Sequence, residues 1–311
     1  MLDVKASYEE MRNNVGAVWL RREVISATGP EVEVYLQGQL SQDVQKIDVG
    51  GSAWSFILQP HGKVDALIRL TRVAQDRFII DVDRGYGDHV LARLERFKLR
   101  TKVDFESLDW KVLGLRGPAS KDIELLVGES DVISDGSWPE LLGTDILGSA
   151  PEVPAGVELC HAEAYEVLRI EAGIPEMGCE IDEKTIPAEA GINNRTISFN
   201  KGCYTGQELV ARIDSRGGNV PRNLRGVVVR GAETPYIGSK IVAISDSGSK
   251  GALSAKPFGV ISSVSFSPRL NAPVALAMIR RDVSLPARAM VVWDEGSSEC
   301  EIYQLPLTNV S

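Results

Sequence analysis

The chain has 311 residues, of which 43% are hydrophobic and 25% are charged, a composition typical of globular proteins with room for two or three domains. Its formal net charge of −9 disfavours direct binding to nucleic acid, because phosphate contacts need clustered lysine and arginine side chains. No apolar run approaches the roughly 18 residues that cross a bilayer, and residues 1–14 lack the pattern of a signal or transit peptide. We therefore expect a cytoplasmic protein without a membrane partner.

Helix and strand patterns alternate in the first part of the chain. Ser7 and Glu10 have the spacing of a capping box and predict a short first helix. A second helix is predicted from about Glu31 to Ser41. The apolar runs within residues 53–85 are broken by turn residues and predict a three-stranded meander, and a helix is predicted over residues 86–99. This alternation indicates an α+β region with antiparallel sheets.

The pattern changes towards the C-terminus. A helix is predicted to start at Pro118, and a strand is predicted from about Glu163 to Ile170. The remaining sequence consists of short β-branched runs divided by turn residues, which predict a small all-β barrel or sandwich. We therefore divide the chain into an α+β region, residues 1–222, and an all-β domain, residues 223–311.

One basic segment interrupts this acidic chain. Its sequence is ARLERFKLRTK, and its five basic residues are Arg93, Arg96, Lys98, Arg100 and Lys102. The pattern predicts a solvated helix end followed by a strand.

Four cysteines are present, and their spacing excludes several kinds of site. They are Cys160, Cys179, Cys203 and Cys300. They form no C-x-x-C pair, and their separations do not resemble a zinc or iron–sulfur ligand set, so we predict no metal site. Disulfides are not expected in the cytoplasm. A single cysteine that acts alone is therefore the more interesting case.

Cys203 lies in the segment SFNKGCYTGQELVARIDSRGG and is the best candidate. Thr205 and Glu208 have capping-box spacing and predict a helix that starts two residues after Cys203. The partial positive charge of a helix N-terminus, together with the ammonium of Lys201, favours the thiolate form of the cysteine. The ring of Tyr204 is suited to stacking on a planar ligand.

Two other interpretations of Cys203 stay open at this point. It is either a small buried residue in a tight turn or one half of a Cys–His pair. The segment itself holds no histidine, so such a pair requires His61, His89 or His161 to be brought near by the fold.

The eight residues KGCYTGQE resemble the signature of the YgfZ-type folate-binding proteins, which are relatives of the glycine cleavage T-protein, an aminomethyltransferase. The resemblance covers nearly the whole chain, since further similar segments occur in the expected order: YLQGQLSQDV, LQPHGKVDALIRL, LGLRGPAS, LRIEAGIPEMGCEI and FGVISSVSFSPRLNAPVALAMIRRDV. It implies two α+β domains, interleaved in sequence around a central channel that binds tetrahydrofolate or a derivative, followed by a C-terminal β-barrel.

The resemblance also assigns roles to residues. Glu171 matches the glutamate that holds the pterin, a role that suits a carboxylate because it accepts two hydrogen bonds. Its alternative is a strand-end glutamate that faces solvent. The other candidate folate contacts are Tyr204, Gln207, Arg212 and Arg216 and, more weakly, Asp43 and Gln39. The two arginines either reach the glutamate tail of folate or simply edge the helix. Cys203 and Lys201 match the signature as candidate catalytic residues.

One departure separates the chain from the T-proteins. These carry an acidic pair where this chain has Asp65 followed by Ala66, and they lack the cysteine signature. The resemblance therefore implies a folate-binding accessory protein that assembles or repairs iron–sulfur enzymes, with an indirect effect on tRNA modification. Its expected partners are iron–sulfur enzymes or cluster carrier proteins. The alternatives are a tetrahydrofolate-dependent aminomethyltransferase and a non-catalytic binding scaffold.

Overall fold

The computed structural model of the chain describes residues 2–123, 128, 131–231, 233–244, 256–294 and 296–310. The helices of this part are α1 (Val4–Asn13), α2 (Val32–Gln39), α3 (Gly87–Lys98), α4 (Ala162–Ala172), α5 (Asn193–Thr196) and α6 (Gln207–Ser215). None of these helices has the length and apolar character needed to cross a membrane.

The strands form two sheets and one barrel. In chain order they are β1 (Gly16–Leu20), β2 (Arg22–Thr28), β3 (Ser52–Leu58), β4 (Val64–Ala74), β5 (Arg77–Asp83), β6 (Asp104–Leu108), β7 (Lys111–Arg116), β8 (Val132–Asp135), β9 (Gly143–Gly148), β10 (Glu158–Leu159), β11 (Arg222–Val229), β12 (Lys240–Val242), β13 (Gly259–Ser267), β14 (Ala272–Arg280), β15 (Ala287–Trp293) and β16 (Gly296–Tyr303).

The two sheets are interleaved along the chain. The first has the order β10-β1-β7-β9-β8, and the second has the order β3-β4-β5-β2-β6. The chain thus starts in the first sheet, builds the whole second sheet, and returns to the first. The last six strands close into a barrel in the order β11-β14-β13-β12-β15-β16. The predicted α+β architecture with interleaved domains and a C-terminal β-barrel is confirmed.

The largest apolar core joins both sheets to α1 and α4. It contains Met11 of α1, Val18 of β1, Phe56 of β3, Leu67 of β4 and Val167 of α4, all almost completely buried. Each such side chain stabilises the fold by about 1.5–3 kcal/mol through its removal from water.

Helix α4 also connects this region to the barrel. Its Ile170 packs with Leu224 of β11 and Leu276 of β14 in a second apolar cluster. One face of α4 therefore contacts the sheets while another contacts the barrel, and residues near its C-terminus lie where the two regions meet.

Several sequence predictions agree with the elements, and others were wrong. The second helix, the meander and the helix over residues 86–99 correspond to α2, to β3–β5 and to α3, and are confirmed. The Ser7–Glu10 capping box is wrong, because the side chain of Asp3 accepts the hydrogen bond from the N–H of Ala6 while Ser7 is buried.

The strand predicted from Glu163 to Ile170 is the largest error, because this segment forms α4. Its buried residues Ala164, Val167, Leu168 and Glu171 follow the i, i+3, i+4, i+7 spacing of a helix face, which the β-branched residues concealed. The helix predicted from Pro118 is only a 3-10 turn, Pro118–Lys121, and its expected continuation over 124–127 lies outside the described residues.

Candidate functional site

The segment that carries Cys203 is tied to the C-terminal end of α2 by Lys201. The ammonium Nζ of Lys201 donates hydrogen bonds to the carbonyl oxygens of Gln37, Leu40 and Gln42 at 2.6, 2.7 and 2.8 Å. These carbonyls lie in the last turn of α2 or just beyond it, where a helix lacks its own donors. Burial lowers the pKa of Lys201 to about 8, against the opposing effect of the Asp43 carboxylate. The ammonium therefore anchors the loop.

Cys203 is exposed two residues further along this anchored loop. The backbone N–H of Thr205 donates to the carbonyl oxygen of Gly38 at 3.1 Å, which fixes the loop on its other side. The predicted capping box is wrong, because Gly206 is the N-cap of α6 and no side chain caps the helix. Gly206 has a φ of +82°, and a Cβ there would lie 2.6 Å from the carbonyl oxygen of Gln59. The role of Lys201 in promoting the thiolate stays a prediction.

Tyr204 and Gln207 stabilise the same turn. The side-chain oxygen of Gln207 accepts a hydrogen bond from the N–H of Tyr204 at 3.1 Å. The ring of Tyr204 packs against the large apolar core, and the ammonium of Lys201 lies 5.1 Å from the ring centroid. Burial raises the pKa of Tyr204 to about 12. The loop is therefore held in a defined conformation by these contacts, while Cys203 itself is exposed.

Asp43 belongs to the α2 end of this assembly. Its carboxylate accepts a hydrogen bond from the side-chain amide of Gln37 at 2.9 Å and pairs with Lys46 at 3.2 Å. Burial raises its pKa, but these two contacts and the nearby Lys201 outweigh burial and lower it. Arg212 and Arg216 are exposed on and just after α6, and no described carboxylate pairs with them.

Glu171 lies elsewhere, near the C-terminus of α4, and its carboxylate is almost completely buried. The Tyr8 hydroxyl donates to it at 2.9 Å, the Ser267 hydroxyl at 2.5 Å, and the Arg12 guanidinium at 3.4 Å. Burial and the adjacent carboxylate raise the pKa of Tyr8 to about 12. The predicted solvent-facing alternative for Glu171 is therefore wrong.

A cavity of about 440 Å³ opens beside Glu171. It lies between α1, the segments around Pro118 and Leu141, α4, and the chain after β16. Thr308 also lines it, and the Thr308 hydroxyl oxygen is buried without a hydrogen-bond partner among the described residues. None of the described residues that line the cavity comes from the Cys203 loop. The thiol and the carboxylate are thus parts of two separate places.

The carboxylate acceptor at this cavity suits the hydrogen-bond donors of a pterin. A carboxylate offers about four lone-pair sites, and Glu171 accepts hydrogen bonds from Tyr8, Ser267 and Arg12, of which the bond from Arg12 is the longest, and Arg12 remains one-third exposed. The Nε of Arg269 is a further ion-pair partner at 3.8 Å. A pterin that donates two hydrogen bonds would replace Arg12 at the carboxylate and would release its guanidinium. The Thr308 hydroxyl offers a further polar contact within the cavity.

Comparisons with known proteins identify relatives of this chain. The family profile of the GCVT N-terminal domain matches residues 3–135. An uncharacterized protein of Haemophilus influenzae is 30% identical over 203 residues, which cover 63% of this chain and 68% of that protein. The tRNA-modifying protein YgfZ of Enterobacter sp. (strain 638) is 33% identical over 214 residues, which cover 62% of this chain and 65% of that protein. The chain belongs to the YgfZ-like family. These alignments span about two thirds of each relative's length.

The fold of this YgfZ-like protein is shared with a T-protein. The crystal structure of glycine cleavage system aminomethyltransferase T from Bartonella henselae superposes with a TM-score of 0.81 and covers 98% of this chain and 89% of its own. The identity is only 20%, so the comparison establishes the fold alone.

Asp65 of this YgfZ-like chain contacts α3 and is not among the described residues that line the Glu171 cavity. Its carboxylate lies 2.9 Å from the ring nitrogen Nε2 of His89 and 3.3 Å from the Nε of Arg93, both on α3. Asp65 is not one of the described residues that line the Glu171 cavity. It therefore acts as an ion-pair partner of α3 in this structure.

Sequence reasoning missed the residues that contact Glu171, which are Tyr8, Arg12, Ser267 and Arg269. Tyr8 and Ser267 lie 163 and 96 residues away from Glu171 along the chain. No local spacing connects such residues, so only the fold could bring them together. Sequence reasoning also missed the buried charged residues of the two sheets, although the arginines within the otherwise apolar β4 indicated them.

Proposed function

We propose that this YgfZ-like protein binds tetrahydrofolate or a derivative in the Glu171 cavity and assists the assembly or repair of cytoplasmic iron–sulfur enzymes through Cys203. The single observation that carries the proposal is that the chain holds a buried carboxylate at a cavity and, at a separate place, an exposed thiol on an anchored loop. Its effect on tRNA modification would then be indirect, through iron–sulfur enzymes or cluster carrier proteins. The acidic net charge agrees with this route.

Folate binding would use groups that the chain already positions. Tyr8 and Ser267 hold the Glu171 carboxylate in place, and Glu171 is one of the residues that line the cavity. When bound, tetrahydrofolate supplies a planar pterin with hydrogen-bond donors and the capacity to carry one-carbon units. Arg12, freed from Glu171, is the cation available for a negatively charged part of the ligand.

Cys203 would act as a nucleophile or as a transient ligand to a cluster that a partner carries. Lys201 is a positioning residue in this proposal, because its ammonium is bonded to three carbonyls that hold the loop. One exposed thiolate donates one ligand, so a partner must supply the others.

The aminomethyltransferase alternative receives less support. It requires Asp65 as the acid–base group at the bound folate, yet the Asp65 carboxylate is engaged with His89 and Arg93 outside the Glu171 cavity. The sequence offers no second carboxylate at the next position, which is Ala66.

The folate proposal is tested by isothermal titration of tetrahydrofolate into wild type and Glu171→Gln. We expect the Kd to rise roughly 5- to 150-fold, because a charged hydrogen-bond partner contributes about 1–3 kcal/mol. Asp65→Asn is the matched control and should leave the Kd unchanged. An unaltered Kd for folded Glu171→Gln would remove this residue from the site.

The iron–sulfur proposal is tested separately in cells that lack the protein. We expect wild type and Cys179→Ser to restore the activity of affected iron–sulfur enzymes, and we expect Cys203→Ser to fail. Because Cys203 is exposed, its replacement should leave the stability of the protein unchanged. Full rescue by Cys203→Ser would refute the role of the thiol.

A further inference from the structure

A groove between α2 and α3 combines exposed apolar side chains with unneutralised cations. It encloses about 810 Å³ and is lined by Glu31 and Val34 of the α2 end and by Leu99, Arg100 and Thr101 after α3. Val34 is 68% exposed and Leu99 is 88% exposed. We call these five residues the α2–α3 groove.

Leu99 is unusual in its backbone as well as in its exposure. It ends α3 with a φ of +48°, in a region where glycine or asparagine is favoured. Leucine at this position destabilises the protein through backbone strain, and its exposed side chain contributes no compensating stability through burial. Such a residue at the surface indicates that its side chain is used for a contact with another molecule.

The wall of the groove that follows α3 belongs to a basic segment, although the chain is acidic overall; the opposite wall carries the Glu31 carboxylate, which accepts a hydrogen bond from the backbone N–H of Lys102 at 2.6 Å. Arg96, Arg100 and Lys102 are exposed, and no described carboxylate lies within ion-pair distance of their side-chain nitrogens. Lys98, by contrast, pairs with Glu95 and Asp104. Three exposed cations in the segment that carries Leu99, against the single carboxylate of Glu31 in the groove, favour an acidic partner with apolar side chains of its own.

The groove continues to the Cys203 loop along one face of α2. Val34 and Gly38 are one turn apart, about 6 Å along the axis. Gly38 is bonded to Thr205 of the loop, and a Cβ added at Gly38 would meet open space. Cys203 is two residues from Thr205, about 7 Å of extended chain. These distances fit within one interface of about 800 Å² per partner, roughly 30 Å across.

We propose that the α2–α3 groove docks an acidic segment of a partner protein and thereby brings that partner to Cys203. This inference rests on the proposed role of the thiol and adds the surface and the chemistry that select the partner. Leucine-like side chains of the segment would contact Val34 and Leu99, while its carboxylates would pair with Arg96, Arg100 and Lys102. Gly38 has no side chain that would separate the bound segment from the Cys203 loop.

The test measures modification of Cys203 by a peptide that carries a maleimide at one end. The peptide is a helix of about 16 residues with leucine at i, i+3, i+4 and i+7 positions and glutamate elsewhere. Docking raises the effective concentration of the maleimide, so we expect modification at least about 10-fold faster than by N-ethylmaleimide at low salt, and we expect the gain to disappear at about 1 M salt. Mass spectrometry measures both rates at Cys203.

Substitutions in the α2–α3 groove test whether the groove is the surface that docks the peptide. Leu99→Gly should abolish the gain while the melting temperature stays equal or rises, because glycine relieves the φ strain. Val34→Asp should abolish it as well, and Ile237→Asp, at an equally exposed apolar site on the barrel side, should not. None of these changes should alter the rate with N-ethylmaleimide. Retention of the gain in Leu99→Gly and Val34→Asp, or an equal gain with a lysine-for-glutamate peptide, would overturn the proposal.

Two further outcomes separate this inference from others. Binding to anionic phospholipid vesicles that depends on Leu99, without any gain from the acidic peptide, would overturn it in favour of a lipid surface. Failure of the thiol's proposed function appears instead as rescue by Cys203→Ser, which this rate measurement does not involve.

Discussion

The four cysteines differ in burial, and Cys203 is exposed. Cys160 and Cys300 are buried, and burial raises the pKa of Cys300 to about 12. Cys179 is exposed as a residue, but burial of its thiol, with Glu180 and Glu176 nearby, raises its pKa to about 11.

We predict that iodoacetamide at pH 7.5 modifies Cys203 at least about 10-fold faster than Cys179. The physical reason is that a pKa two units above the ordinary 9.0 reduces the thiolate population of Cys179 about 100-fold. Peptide mapping by mass spectrometry after short exposures measures both rates. In Cys203→Ser the slow Cys179 reaction should persist alone. Equal rates at the two cysteines in wild type would contradict the prediction.

At the scale of elements, sequence patterns predicted what local periodicity determines. The β3–β5 meander and the helices α2 and α3 carry clear strand or helix spacing, and they were predicted correctly. Helix α4 was missed because Val167 and Ile170 favour strands in isolation, whereas its packing against both sheets and the barrel selects a helix. The Glu171 site depends on Tyr8 and Ser267, which only this packing brings to α4.

The junction between α2 and the Cys203 loop depends on one ammonium group. We predict that Lys201→Met destabilises the protein by about 2 kcal/mol, because three partly buried carbonyl acceptors lose their charged donor. Urea unfolding followed by circular dichroism measures this change. Methionine matches the length of the lysine stem, so the loss reports on the ammonium and not on packing.

The same variant separates an anchor from an electrostatic activator. Lys5→Met, on an exposed position of α1, is the control for loss of one positive charge. If Lys201→Met leaves the unfolding free energy as in Lys5→Met but slows Cys203 alkylation, Lys201 acts on the thiol through its charge and the anchoring account fails.

At the scale of the whole molecule, a buried ion network joins the two interleaved sheets. Arg69 of β4 pairs with Asp81 of β5 at 2.9 Å and with Asp145 of β9, in the other sheet, at 2.6 Å. Arg116 of β7 pairs with Asp145 at 2.5 Å, and Arg22 of β2 pairs with Asp81. Burial raises the pKa of Asp145, but the two arginines outweigh it and lower the pKa overall.

This network fixes how the sheets meet, because removal of one member leaves buried charges without partners, at a cost of about 3–5 kcal/mol. None of the described residues that line the Glu171 cavity belongs to the Cys203 loop in this arrangement.

Glu176 lies at the edge of this network and gives the molecule a pH dependence near neutrality. Burial raises its pKa to about 7, with Asp83, Glu166 and Glu180 adding to the effect and Arg169 opposing it. Between these two pKa values the folded state thus keeps a proton on Glu176, whereas the unfolded chain, in which the pKa is the ordinary 4.5, has released it. The contribution of this group to stability is complete below about pH 4.5 and is lost as the pH rises towards 7.

We therefore predict that the unfolding free energy of wild type decreases between pH 5 and 7.5 and that Glu176→Gln removes part of this slope. The side chain keeps 38% of its surface exposed, so solvent screens its carboxylate and only part of the slope belongs to it. Urea unfolding at several pH values measures the slope, and Glu163→Gln, an exposed carboxyl on α4, should leave it unchanged. A slope that is the same in Glu176→Gln and wild type would show that this carboxyl is ionised in both the folded and the unfolded state. The buried arginines would then set the charge balance at the meeting of the two sheets without a proton held by Glu176.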